Sequence, residues 1–365
     1  MANNKILSKK VKVRISNMDG VKSSRNWKRV FWTVIATAIF GTLIYFADSR
    51  DVYEALIAAN PLYVVTAVVL GFLGMMIWAF NWKNFFEISG IKESYPRTFQ
   101  LMAASGFLNL VTPLGQFGGQ PVMAYLVSKE SDSSYEKALA TLSSADLIAI
   151  MPVAVFSSIG LTHLLLTGGF TPEITSMSIL VYSLSLFGIF MGYLGWYRPK
   201  ILKNILFSFF SKIDYFTGKG SNLVDKIDQF LTTLEDSYRN IGKKPGKIIK
   251  SMFIVHFAYI AKFLALYAVM VSLGVSVNFF EIMLMVSLVV VANFSPTPGS
   301  TGTFEAAMTG LILLFVDISL ATAVSAAILY RLSTYWVGVG VGYMALLSLG
   351  MNTEFYKEKA DYSIK

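Results

Sequence analysis

Apolar residues run through this chain in blocks separated by short polar stretches. Six blocks, roughly 30–47, 61–82, 137–166, 177–197, 248–273 and 319–349, are long enough to cross a hydrocarbon core. At about 1.5 Å of rise per residue, a core of about 30 Å needs close to 20 residues. Two further blocks, about 98–127 and 280–316, are each cut in two by prolines and glycines. Their arms, 98–112 with 114–127 and 279–293 with 303–316, are too short to span singly. Broken backbone at membrane depth persists only where protein or a wet cavity satisfies it, because lipid offers no hydrogen bonds. The pattern predicts an all-α integral membrane protein of about six full transmembrane helices plus two re-entrant broken-helix hairpins.

The two breaks are related. Both read Asn-x5-Gly-x2-Gly, with Asn109, Gly115 and Gly118 in the first and Asn293, Gly299 and Gly302 in the second. The step from Asn109 to Asn293 recurs from Gly115 to Gly299 and from Gly118 to Gly302. Shifting the 61–82 span, the first hairpin and the following span by that interval lands on the 248–273 span, the second hairpin and the last span. Interrupted segments at matching positions in two halves point to a transporter-type site near the midplane between repeats. Asn109, Asn293, Pro113, Pro296 and Pro298 are expected to shape the breaks.

Composition agrees: 55% of the 365 residues are hydrophobic and the mean hydropathy is +0.57. The net charge of +9 would suggest nucleic acid in a soluble protein. Here it follows the positive-inside rule, and no nucleic-acid partner is expected. Residues 1–29 hold nine Lys/Arg against one acid, Asp19, and form a basic cytoplasmic tail suited to anionic lipid headgroups. The first apolar block reads as a retained anchor, not a cleaved signal. Within 198–247, Leu223, Ile227, Phe230, Leu231 and Leu234 recur at helical spacing, predicting an amphipathic cytoplasmic insert. With re-entrant hairpins, 28 of the 31 Lys/Arg fall on the cytoplasmic side, Arg50 lies outside, and Lys262 and Arg331 lie in spans. That count puts both termini inside a cell membrane, with 351–365 as a second cytoplasmic tail. It also makes the halves, about 30–166 and 177–350 within a 30–350 membrane domain, an inverted-topology repeat. A homodimer is left open.

Ionisable residues in spans are costly and mark a pathway or a partner. Here they are Asp146, His256, Lys262, Glu305 and Arg331. Asp146 and Arg331 stand at nearly equivalent positions, so a pairing between them across the halves is one expectation. Lys262 has no acid in its own span and is the first candidate for a phosphate group, with Arg331 second. Glu305 opens a half-helix, where a carboxylate caps free N–H groups; contact with an amine or proton carriage is the alternative. Gln116, Gln120, Gly118, Gly119, Gly299 and Gly302 would present polar groups and half-helix N–H groups to an anionic headgroup. Trp78 and Trp82 suit an interfacial belt. With no cysteine and two histidines, neither a metal nor another cofactor is expected.

Several motifs resemble the membrane domain of lysylphosphatidylglycerol synthases, the flippase-like family. They are Thr112-Pro113 with Gly118-Gly119-Gln120-Pro121, then Pro296-Thr297-Pro298-Gly299 with Gly302 and Glu305, then Arg331 and Tyr335. Thr303 departs from the family, which often carries glycine there. The likeness covers about 30–350. It implies movement of lipids with charged headgroups, either aminoacyl phospholipids or polyprenyl-phosphate-linked lipids. The chain ends shortly after its last span, so the resemblance implies the translocation half without the synthase, and no enzyme activity. Two other readings stand beside it. One is a membrane glycosyltransferase using a polyprenyl-phosphate sugar, for which Asp48, Asp51 and Glu54 would be the acids. The other is a non-transporting partner of a lipid synthase.

Overall fold

The computed structural model describes residues 34–349 except 36, 40, 44, 112–118, 132, 169–171, 202, 206 and 209–220. Both expected tails, part of the first predicted span, and Pro113, Gly115, Gln116 and Gly118 therefore lie outside the described residues. The described residues form helices and no strands: an all-α membrane protein. In chain order the helices are α1 (Ser49–Ala58), α2 (Pro61–Ser89), α3 (Tyr95–Val111), α4 (Gly119–Glu130), α5 (Tyr135–Leu147), α6 (Ile150–Gly168) and α7 (Pro172–Tyr197). Then come α8 (Ser221–Gly242), α9 (Pro245–Ser272), α10 (Phe279–Leu288), α11 (Thr303–Phe315), α12 (Leu320–Arg331) and α13 (Val337–Ser348).

Among the described residues four stretches are long and apolar enough to cross a membrane: Pro61–Ser89, Tyr135–Gly168, Ser178–Tyr197 and Pro245–Ser272. Pro61 and Pro245 open α2 and α9 at the first turn, where a missing N–H costs nothing. α2 runs on to Ser89, past the expected end near Trp82. Lys83 and Glu87 pair one turn apart at 3.1 Å, and Gly90, at φ 74°, supplies the left-handed cap. Residues 83–89 are thus helix continuing the span. Tyr135–Gly168 turns at Ile148–Ala149, between α5 and α6. The last predicted span is likewise divided: α12 passes through a π-helical segment, Leu332–Trp336, into α13. The second broken segment is α10, a 3₁₀ stretch Val289–Phe294, a turn at Pro298–Ser300, and α11.

The centre is the packing of α2 on α9. They meet where Gly74 faces Ala258 and Ala261; a Cβ on Gly74 would lie 3.3 Å from the Ala258 carbonyl oxygen. Around this pair the packing is exchanged. α6 lies on α10, with Gly160 under the Phe280 carbonyl, while α13 lies on α3, with Gly342 under the Ala103 carbonyl. Two large buried clusters fill the interior, one around Phe85, Phe86 and Leu142, the other around Phe263, Met270 and Ile282. The apolar face of α8 covers α5, with Tyr135 against Phe230.

Candidate functional site

The second break satisfies its own backbone. The turn needs left-handed residues: Gly299 at φ 59°, Ser300 at 57° and Gly302 at 83°. Gly299 has no room for a side chain, since a Cβ would lie 2.2 Å from the Tyr335 hydroxyl and 2.8 Å from the Leu110 carbonyl oxygen. That contact sets the second turn against the end of α3, so the two broken segments abut. Thr303 donates its hydroxyl to the Ser300 carbonyl at 2.9 Å. Glu305 accepts from the Gly302 N–H at 2.8 Å, which is the capping role. Its other oxygen accepts from Arg331 Nε at 3.0 Å, and Arg331 Nη2 donates to the Gly299 carbonyl. Phe304 and Tyr335 close over the guanidinium, with its carbon 4.4 and 3.9 Å from their ring centres. Glu305 and Arg331 are only 4% and 6% exposed, a sealed and mutually neutralised pair.

Arg331 therefore pairs with Glu305, on the helix beside its own, and not with Asp146 as the matching positions suggested. An acid one turn into α11 lay within its reach. Asp146 is held otherwise. One oxygen accepts from Trp82 Nε1 at 3.2 Å and the other from Gln120 Nε2. The Trp78 indole approaches the same carboxylate without a hydrogen bond of standard geometry. Trp82 is 2% exposed, so it is not an interfacial residue: its buried N–H needs an acceptor, and Asp146 supplies one.

Gln120 is placed by the start of α4. There Asn109 accepts the Gly119 N–H at 2.6 Å, fastening the first hairpin's two arms. Gly119 is buried so closely that a Cβ would lie 2.3 Å from the Ser105 carbonyl oxygen. Asn293 forms no corresponding bond among the described residues. Pro296 is half-buried in the turn; the side chain of Pro298 lies outside the description.

Lys262 projects from α9 with its ammonium 4.7 Å from the Tyr259 ring centre and 5.7 Å from that of Trp78. Among the described residues it has neither an acidic partner nor a hydrogen bond. It is partly buried. Two groups of polar contacts result: Arg331 with Glu305 and the Gly299 carbonyl at the second break, and Asp146 with Trp82 and Gln120 next to the Asn109–Gly119 bond at the first. Sequence reasoning missed the place of the two tryptophans beside Asp146. The available signal was their i,i+4 spacing on one face, together with the repeat interval, which carries Trp78 onto Lys262. His256 is turned to its own helix, its Nδ1 2.6 Å from the Met252 carbonyl. A concavity of about 610 Å³ lies elsewhere, between the loops holding Gly274–Asn278 and Phe315–Ile318, and none of these groups lines it.

The three acids Asp48, Asp51 and Glu54 have ordinary tasks. Asp48 caps α1 by accepting the Arg50 N–H at 3.0 Å, and Glu54 pairs with Arg50 at 2.9 Å; Asp51 lies in the first turn of α1. Among the described residues no cluster of His, Asp and Glu could hold a metal ion.

The fold and the buried charges define a multi-pass, all-α membrane protein built around interrupted helices. The chain belongs to the family of the lysylphosphatidylglycerol synthase TM region, whose profile matches residues 33–342. It is similar to a UPF0104 membrane protein of Pyrococcus horikoshii, 25% identical over 329 residues, covering 88% of this chain and 97% of that one. A UPF0104 membrane protein of Methanocaldococcus jannaschii is 24% identical over 340 residues, covering 91% and 98% of the two chains.

Proposed function

We propose that this protein is a lipid translocator, moving a lipid with an anionic, phosphate-bearing headgroup across a cell membrane. Lys262 carries the reading: an ammonium inside a spanning helix, backed by two aromatic faces and, among the described residues, lacking an anion. A buried cation of this kind is held at a cost that a passing phosphate offsets. Aminoacyl phospholipids and polyprenyl-phosphate-linked lipids both present such a group, while their tails stay in the bilayer. The family's description, which names a lipid synthase's membrane region, supports the same class.

The finer architecture belongs to this reading. One interval relates the starts of α2 and α9, of the helices opening each broken segment (α3 and α10), and of α4 and α11. The exchanged packing of α6 on α10 and α13 on α3 is what two interlocked halves would produce. We read six spans and two re-entrant hairpins as an inverted repeat with both termini cytoplasmic. Substrate would sit between the halves, near Lys262, Gln120 and Asp146, with Gly119 at the start of α4 beside it. In the second half Glu305 and Arg331 would shape the wall as a closed pair instead of offering a free charge.

The test is headgroup movement in proteoliposomes containing labelled phosphatidylglycerol, lysylphosphatidylglycerol or a polyprenyl phosphate. One of them should cross faster than in protein-free vesicles, and Lys262→Met should abolish the difference. If folded protein moves none of the three, or Lys262→Met moves lipid like the parent, the reading fails.

A further inference from the structure

The two halves carry the same polar couple with different chemistry. In each, a residue at the start of the hairpin's second helix contacts one 26 positions further on: Glu305 with Arg331, and Gln120 with Asp146. In the second half a carboxylate faces a guanidinium. A guanidinium stays charged at every relevant pH and offers only donors, so it holds Glu305 ionised. In the first half the carboxylate faces a carboxamide, which has both a donor and an acceptor end.

We propose that Asp146, with Gln120, is an exchangeable-proton site. When Asp146 is ionised, Trp82 Nε1 and Gln120 Nε2 each donate to one of its oxygens. When a hydronium ion gives up a proton to the oxygen facing Gln120, one of its O–H bonds breaks, a carboxyl O–H bond forms, water is left and the carboxylate charge is lost. The Gln120 amide then turns over and its Oε1 accepts a hydrogen bond from the new carboxyl O–H, while Trp82 keeps its bond to the other oxygen. Release breaks the same O–H bond and returns the proton to water. In both states each oxygen of Asp146 keeps a hydrogen-bond partner, so protonation does not strand the carboxyl group itself. No such exchange exists for Glu305 while Arg331 is in place.

The surroundings leave the carboxyl group without a fixed counter-charge. Asp146, Gln120 and Trp78 are partly buried and the carboxylate is held by neutral donors, whereas Glu305 is locked to Arg331. α2 presents Trp78 and Trp82 to the carboxylate, and Asn81 donates to the neighbouring Ala145 carbonyl at 2.7 Å. α4 presents Gln120. The titratable group from α8 is Tyr238, bonded to Ser143, and from α7 Trp196 donates to Ser144 at 3.3 Å. Lys262 of α9 lies beyond the Trp78 ring. No Lys, Arg or His among the described residues forms an ion pair with Asp146.

Proton binding stands by itself; its coupling to lipid movement rests on the translocation reading. The experiment uses purified full-length protein in nanodiscs with no added cargo. Infrared difference spectra across the acid-to-neutral range should show the carbonyl stretch of one protonated carboxylic acid, and tryptophan emission should change with the same midpoint. Both signals should vanish in Asp146→Asn. Trp82→Phe, which removes a donor to the ionised form, should keep the infrared band and move its midpoint to higher pH. A wild-type protein without the band, a band that survives Asp146→Asn, a midpoint unmoved in Trp82→Phe, or a response to sodium at fixed pH overturns the site. In proteoliposomes an imposed pH gradient should then raise the initial rate of lipid movement several-fold in wild type and leave Asp146→Asn unchanged. A titrating band without movement of any lipid retains the proton site and removes the lipid reading. Lipid movement with no titrating band does the reverse.

Discussion

Arg331 is enclosed by Glu305, the Gly299 carbonyl and two aromatic rings, so its replacement alone would leave a carboxylate with no counter-charge. Removing one member of a buried ion pair costs about 3–5 kcal/mol, whereas replacing both with apolar groups of similar volume is often close to neutral. Arg331→Met should therefore lower the unfolding midpoint in detergent sharply, and adding Glu305→Leu should recover a large part of the loss. Equal, additive losses would show that the pair is not the unit. The charges themselves were legible in the sequence, because an ionisable residue in an apolar block announces itself. Their partners were not. Asp146 and Arg331 matched by position, but a hydrogen bond depends on which neighbouring helix face offers an acceptor, and α11 offered Glu305 first. Trp82 was misread for a related reason. A tryptophan at the apparent end of an apolar run fits an interface and a buried donor equally well until the helix is seen to continue for two more turns.

At the scale of elements, the broken segments were the most legible part of the chain, because proline, paired glycines and short arms have few other uses in a membrane. The turn geometry could only be guessed. Gly299 is needed twice, for its positive φ and for the absence of a side chain between Tyr335 and Leu110. Gly299→Ala should reduce the yield of folded protein, while Gly310→Ala on the open face of α11, where nothing lies within 4 Å, should leave it unchanged or slightly improved. The π-helical segment after Arg331 was not visible in any residue pattern. It arises where Gly71 of α2 presses on the Ser333 carbonyl, so closely that a Cβ there would lie 2.0 Å from the oxygen. Gly71→Ala must push the two helices apart at that level. It should cost more stability than Gly41→Ala, which has open space around it, in a paired thermal unfolding measurement.

For the whole molecule, the absence of cysteine gives a clean background for engineered thiols. A Cβ on Gly74 would lie 3.5 Å from the Ala261 Cβ, within the range that a disulfide bridges. The double variant Gly74→Cys with Ala261→Cys should crosslink on mild oxidation, and failure to do so would place the α2–α9 crossing elsewhere. The inverted arrangement we propose has its own test. Ser133→Cys and Asp317→Cys, at matching positions in the two halves, should react with an impermeant maleimide from opposite sides of the membrane; labelling from one side would dispose of it. Where α2 and α9 run together, Trp78 and Lys262 occupy corresponding places and face one another. Two copies of a single ancestral half would have set like against like there, either a pair of repelling ammoniums or a pair of indoles with no charge between them. If the halves are the inverted repeat we propose, a cation resting on an aromatic ring at that point requires that the two have diverged. A shorter chain assembling with itself could not make this site.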